Sequence, residues 1–334
     1  MQRSASSYLI KGDLHLRCSI KLLMIGRHTN LADRVTLCIS HGKHDMITIV
    51  VALNCVTDAY RYAKPFIAEE MGRRMRKKIN RVIVGTIISI VVLYSLHWLS
   101  GIRNFSTINE NMSRVELSAN VKLDYITNGV QTELSSEHKL LIENEIEYSE
   151  NTVELLKSIF EWKKSKFKSE HAKGEFIGTR TAADIIDEMT TTGCHDDGLL
   201  ISSILRHYQV PCVMVDTVGV NWISKYNNGR TKSFDGHVFI EIFYDDRCFL
   251  FDSTLGKLII GYNPNDDIIP STLWLMDKKG FYTMYKGIDP AAYGINSLRE
   301  LCFSMSKTAS ELEGEEYVIP DYEIVSIKKI IFDD

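Results

Sequence analysis

The sequence predicts an α+β fold in which helices pack on an antiparallel sheet, preceded by a single transmembrane helix. Three observations predict it. Apolar residues recur at helical spacing before Pro211, whereas short β-branched runs with turn residues dominate after it. Ahead of both stands one long uncharged run with a dense basic flank.

The basic flank is Arg73, Arg74, Arg76, Lys77, Lys78 and Arg81, and the run is Val82–Ile102, 21 residues without a formal charge. At 1.5 Å per residue such a helix spans about 30 Å, the hydrocarbon thickness of a bilayer. Tyr94 and Trp98 stand toward one end, where interfacial aromatics are common. The formal net charge of −4 over 334 residues divides at this run. Residues 1–103 carry 16 Lys+Arg against 6 Asp+Glu, and the rest carry 23 against 37. The positive-inside rule then keeps the basic flank in the cytoplasm and puts the acidic remainder outside the cell membrane, as a single-pass protein with an extracytoplasmic C-terminal domain. The run is longer than a signal-peptide core and lacks a well-placed small-x-small site, so an uncleaved anchor is expected. A buried core helix is the alternative.

Before the anchor, residues 1–70 hold only apolar runs too short to span, such as Met46–Val56. Met71 opens MGRRMRKKINR, a charged start fit for a signal anchor. Translation is therefore expected to begin there. On that reading 1–70 form no autonomous domain; a small cytoplasmic domain is the alternative. Hydrophobic residues at 45% and charged residues at 25% exclude a disordered, collagen-like or polytopic chain. The seven Cys are irregularly spaced without a C-x-x-C pair, so neither a disulfide framework nor a zinc ribbon is indicated.

After the anchor, residues 104–130 alternate weakly and read as irregular or short extended structure. From Ser135 to Lys173, Leu141, Ile146, Val153, Leu156, Ile159 and Phe160 recur at helical spacing, giving one or two amphipathic helices. Thr181 and Asp184 resemble a capping box in front of Ile185, Ile186 and Met189. Leu199, Leu200, Ile204 and Leu205 then predict a helix from Cys194 to His207. Val210–Val215 reads as a strand, Lys225–Asp235 as a polar loop. Val238–Tyr244 and Cys248–Asp252 read as a hairpin turning at Asp245-Asp246, with Val238, Ile240 and Ile242 on one face. A turn-rich stretch with Pro264, Pro270 and Pro290 follows, and Tyr317–Phe332 adds terminal strands.

Three residues on these elements can cooperate chemically. Cys194 falls at a helix N-terminus, where unpaired N–H groups and the helix dipole favour a thiolate. His237 opens a strand directly after Gly236, and Asp252 ends the neighbouring strand of the same hairpin. Adjacent antiparallel strands can bring the two side by side, so that the carboxylate orients the imidazole and the imidazole pairs with the thiolate. Cys212 and Cys248 fall in strands and read as core. Glu241 reads as a surface residue opposite the apolar face. His195 lies about 100° around the helix from Cys194, a poor position for its base.

In this stretch the sequence resembles the transglutaminase-like superfamily, whose core is papain-like. The resemblance covers about residues 178–260. It rests on Gly193-Cys194 opening a helix that ends in the R-x-Y-x-V-P-C segment from Arg206 to Cys212. It rests also on Gly236-His237-Val238-Phe239-Ile240-Glu241 as a His-x-x-x-Glu strand, and on Phe251-Asp252-Ser253-Thr254 as an Asp-x-Thr strand end. The order Cys, His, Asp is the family's. The chain departs from the pattern at Gln209, where Gly is usual, and at His195-Asp196-Asp197. The resemblance implies Cys194 as nucleophile, His237 as general base and acid, and Asp252 as orienting residue, in a membrane-anchored protein of prokaryotic type. It implies thiol-dependent acyl transfer or hydrolysis at an amide, peptide or isopeptide bond, with a peptide or protein substrate such as cell-envelope material and no cofactor or metal.

Two other functions stay open. Some superfamily members have lost catalysis and act as binding or assembly modules. His171, His195-Asp196 and a later Asp resemble a metal phosphohydrolase pattern, and Cys194, His195 and His237 could form a zinc site; a metal-dependent hydrolase is the third reading. A nucleic-acid partner is not expected from an acidic domain with scattered basic residues. The chain thus divides into 1–70, an anchor region 71–103, a helical lead-in 104–175 and a transglutaminase-like domain 176–334.

Overall fold

The structure, a computed structural model, describes residues 15–20, 35–40, 101–170, 176–231, 234–272 and 280–332, and positions 85, 86, 89, 92, 95 and 96. The chain divides into two compact units, Met1–Ser100 and Gly101–Asp334. In the first, His15–Ile20 and Val35–Ser40 pair as antiparallel strands, and Gly85, Thr86, Ser89, Val92, Ser95 and Leu96 are helical. The basic flank, most of Val82–Ile102, Met71 and His171 lie outside the described residues. Among the described residues no helix is long and apolar enough to cross a membrane.

The second unit holds eight helices among its described residues: α1 Phe105–Asn111, α2 Ala119–Ile126, α3 Ser136–Glu145, α4 Thr152–Lys166, α5 Ala182–Glu188, α6 Cys194–His207, α7 Val220–Asn227 and α8 Leu298–Glu311. Its main strands are β1 Cys212–Gly219, β2 Gly236–Tyr244, β3 Arg247–Asp252, β4 Lys257–Ile260, β5 Ile268–Pro270, β6 Gly280–Gly287 and β7 Glu323–Ser326. They form one antiparallel sheet in the order β5-β6-β1-β2-β3-β4-β7, and Ser113–Arg114 adds a short pairing to β3. The unit is α+β, as its sequence pattern predicts.

Local chemistry accounts for the helix ends. The Thr181–Asp184 capping box is complete at the start of α5. Asn151 caps α4 by accepting from Val153 and Glu154 N–H. At the end of α6, Gln209 takes the left-handed conformation at φ 62°. Its N–H bonds Arg206 O, and Val210 N–H bonds Leu205 O, the two bonds of a Schellman motif. Glycine is the usual residue for that conformation, and here a glutamine adopts it. Its side chain compensates by donating to Arg206 O.

The sheet buries both faces. On one, α4 and α6 bring Leu156, Ile159, Leu200, Ile204 and Leu205 against Met214, Val238, Ile240 and Phe251. On the other, Val215, Phe239, Phe243, Leu250, Ile259 and Phe281 form a second cluster. Each such side chain contributes about 1.5–3 kcal/mol on burial. A Cβ on Gly198 would stand 2.9 Å from Met214 Cε and 3.1 Å from Val238 Cγ1, so glycine lets α6 approach β1 and β2 closely. Buried Arg206 donates to Cys212 O, Tyr125 O and Thr132 Oγ1, tying the far end of α6 to β1 and the lead-in.

Four sequence expectations are corrected. Residues 104–130 are not irregular: they hold α1 and α2, whose short apolar patterns become helical by packing rather than by strong periodicity. The loop expected from Lys225 is preceded by α7, which reaches Asn227 and buries Trp222 and Ile223. The turn-rich stretch carries β5, β6 and α8. Glu241 is buried, not at the surface, because Tyr262 Oη and Lys286 Nζ both donate to its Oε2 at 2.9 and 2.7 Å.

Candidate active site

Cys194 is the first residue of α6, and exposed Gly193 precedes it. Three consecutive residues behind it fix where this helix begins. His195 Nε2 meets Asp216 Oδ2 of β1 at 2.8 Å. Asp196 Oδ2 accepts from Arg180 Nη1 at 2.6 Å and from Thr192 N–H and hydroxyl. Asp197 Oδ1 pairs with Lys163 Nζ of α4 at 2.7 Å, and the same ammonium donates to Ser253 O. All three side chains are buried, and each takes an opposite or hydrogen-bonding partner from a different segment. The unusual His195-Asp196-Asp197 triplet is therefore a three-way anchor for the helix start. Arg180 and Lys163 also neutralise two carboxylates that would otherwise oppose a thiolate at Cys194.

His237 opens β2. A Cβ on the preceding Gly236 would fall 2.5 Å from Thr217 O, so the strand start fits against β1 only with glycine. Thr217 Oγ1 donates to His237 O and fixes that backbone. The ring lies 4.8 Å from Phe239 and 5.6 Å from Phe281 by centroids. Its Nε2 stands 3.1 Å from Asp252 Oδ1. The two form an ion pair at that distance, without meeting full hydrogen-bond geometry. Asp252, fully buried, is held by Thr254 and Leu255 N–H on Oδ1 and by the Thr272 hydroxyl on Oδ2.

The structure thus brings Cys194, His237 and Asp252 together: His237 meets Asp252 at 3.1 Å and lies near enough to the Cys194 thiol to influence its charge. It also corrects the expectation for His195. That ring also lies near enough to the thiol to influence its charge, although the residue lies about 100° around the helix. In the first turn no preceding turn blocks the side chain, so an imidazole can swing back along the axis. Sequence reasoning missed Asp216, Tyr293, which donates to Asp216 Oδ2 at 3.3 Å, and Thr272. The available signal was Asp216 itself, a carboxylate within the otherwise apolar run CVMVDTVG.

Electrostatics follow from these contacts. Burial alone would raise the Cys194 thiol, but hydrogen bonds from His195 and His237, and their charges, bring it down to about 6. Burial opposes charge on His195, yet the Asp216 carboxylate and the thiolate lift it to about 10. His237 is raised well above its ordinary value by Asp252 and Cys194 against the same burial cost. Asp252 stays below the usual carboxylate range despite burial, chiefly through His237. These directions favour a thiolate at Cys194 flanked by charged imidazoles. Such a thiolate can attack an electrophilic carbon, and an adjacent imidazolium can protonate what leaves.

Cys194 is partly exposed as a residue, while its thiol itself sits in a buried setting. A cavity of about 540 Å³ lined by Tyr285, Tyr293, Arg299, Glu300, Phe303 and Ser304 meets the site through Tyr293 and is not lined by Cys194. Among the described residues, no group of three His, Cys, Asp or Glu is arranged to hold a metal ion.

The chain matches no family model and no curated protein. It is similar to a candidate cysteine protease from Cytophaga hutchinsonii, solved at 1.9 Å, at 17% identity and a TM-score of 0.38. The similarity covers 56% of this chain and 54% of that one, so the chain spans about half the length of that protein. A likeness at this level transfers no activity.

Proposed function

We propose that this chain is a membrane-anchored, transglutaminase-like thiol enzyme acting at an amide, peptide or isopeptide bond. The observation that carries the reading is a cysteine at the first residue of a helix, in contact with a histidine that itself meets a buried aspartate. The Cys194 thiolate attacks the carbonyl carbon, and backbone N–H groups at the start of α6 stabilise the oxyanion. His237 protonates the leaving amine, and water or a second amine then takes the acyl group. Asp252 keeps the imidazole oriented and charged. The acidic C-terminal domain suits hydrolysis of cell-envelope peptide outside the membrane, with Val82–Ile102 as the anchor.

The test is turnover by the full chain on peptide, isopeptide and glutamine-amide substrates. Cleavage or amine incorporation that disappears in Cys194→Ala is expected. Turnover that survives Cys194→Ala overturns the reading. So does a Cys194 that resists alkylation at every pH, the behaviour of a non-catalytic binding module. Protease accessibility of the C-terminal domain from the outer side of intact cells tests the topology, and protection there overturns it.

A further inference from the structure

The His237–Asp252 pair leaves unexplained a second pair built against the same sulfur. His195 and Asp216 are both buried, the latter within a strand whose every residue is buried. Their contact is the better made of the two: 2.8 Å with hydrogen-bond geometry, against an ion pair at 3.1 Å without it for His237 and Asp252. Asp216 is held in turn by the Tyr293 hydroxyl, and the Tyr293 ring stacks on Tyr285 at 5.2 Å and 3° between planes. A carboxylate buried in the middle of a strand is costly unless a cation meets it, and His195 is the group placed to do so. A structural histidine would satisfy Asp216 and point its other edge into the core. Here the ring, on the residue next to Cys194, also lies near enough to the thiol for the two to influence each other's charge.

We propose that His195, gripped by Asp216 and Tyr293, is a second catalytic imidazole of Cys194: it stays protonated beside the sulfur while His237 moves the proton. In acylation the S–C bond forms, the C–N bond breaks, and His237 gives its proton to the departing nitrogen. His195 keeps its own. In deacylation His237 takes a proton from the attacking water, the O–C bond forms, and sulfur leaves as a thiolate facing the His195 cation. The thiolate therefore never stands without a positive neighbour. The other charged groups near this pocket are already paired: Asp196 with Arg180, and Asp197 with Lys163. Asp289 lies near Tyr293 and acts on its hydroxyl. The division of roles rests on Cys194 being the nucleophile of the proposed function.

The experiment is alkylation of the full chain by iodoacetamide across pH 4–10, with the Cys194 peptide quantified by mass spectrometry. The wild-type midpoint is expected at about 6. His195→Gln and His237→Gln should each lower the rate at pH 6.5 by less than about tenfold. The double substitution should lower it by about 100-fold, the thiolate fraction of an ordinary thiol. Full loss in His237→Gln alone, or no change in His195→Gln, overturns the proposal. A second measurement avoids substitution: histidine NMR titration of the wild-type chain before and after Cys194 is capped as its methyl disulfide. Both imidazoles should lose their protons at lower pH once the thiolate is gone; movement of His237 alone overturns it. A Cys194 that never reacts sinks the proposed function as well, whereas a reactive thiol that follows His237 alone sinks only the second imidazole. Stoichiometric zinc whose removal restores alkylation also overturns it.

Discussion

The two histidine–aspartate pairs beside Cys194 reach it by different routes. His237 and Asp252 come from the hairpin of β2 and β3, fifteen positions apart in sequence around a two-residue turn. By alternation along β2, His237 shares the face of Phe239 and Phe243, away from α6. His195 and Asp216 come from α6 and β1, and Asp216 pairs in register with Val238, on the helix-covered face. The sulfur at the helix start thus meets one imidazole from each face of the sheet. A pair within one hairpin is set by local register, whereas a pair across layers depends on how closely the helix docks. The second is therefore the more sensitive to packing, and Gly198 and the Arg180 and Lys163 anchors are the parts that control it.

This contrast can be broken in order of effect. Cys194→Ala should abolish acyl transfer, and His237→Ala should lower kcat by about 10³–10⁴, since it removes proton transfer in both steps. Turnover assays on the substrate panel measure both. Arg180→Ala strips Asp196 of its buried cation and should cost about 3 kcal/mol by urea denaturation. If the anchors position α6, the same change should also weaken the His195 contact more than the His237 contact, visible in histidine NMR. His195→Gln should lower kcat/KM by about 10–100-fold, while activity should still fall at high pH as His237 loses its proton.

The pH dependence of stability separates two imidazolium ions from one. The raised His195 and His237 contribute stability that is present below about 6.5 and lost as pH rises through their folded values. The depressed Cys194 contributes stability present above about 8.5 and lost as pH falls through about 6. Between about 6.5 and 8.5 the folded site holds two protons on imidazoles, and the unfolded chain holds one on sulfur. This site's contribution to stability should therefore fall with rising pH in that window, and the fall should vanish in His195→Gln, where one proton balances one. Thermal unfolding in matched buffers reads the difference. The smallest effect is a control at the far end of α6. Gln209→Gly relieves a left-handed side-chain position and should add about 0.5–1 kcal/mol without moving Cys194 alkylation.

Much of this architecture was legible residue by residue. The helix bounds Cys194 and His207 follow from apolar spacing, the hairpin from alternation around Asp245-Asp246, and the α5 start from its Thr181 capping box. The hairpin also juxtaposed His237 and Asp252, because pairing register is a local property. Less legible were α1, α2, α7 and α8. Their helices depend on surfaces supplied from distant sequence, such as Trp222 and Ile223 of α7 packing with Leu301 and Met305 of α8.

Sequence alone determined the antiparallel α+β pattern, the helix that begins at Cys194 and the hairpin carrying His237 and Asp252, because period and turn chemistry act over a few residues. Only the tertiary structure decided that His195 faces the thiol, that Asp216 and Tyr293 hold it, and that Glu241 is buried. Those outcomes depend on contacts between residues 21 to 77 positions apart, where the docking distance of a helix on a sheet chooses the partners and no local periodicity records the choice.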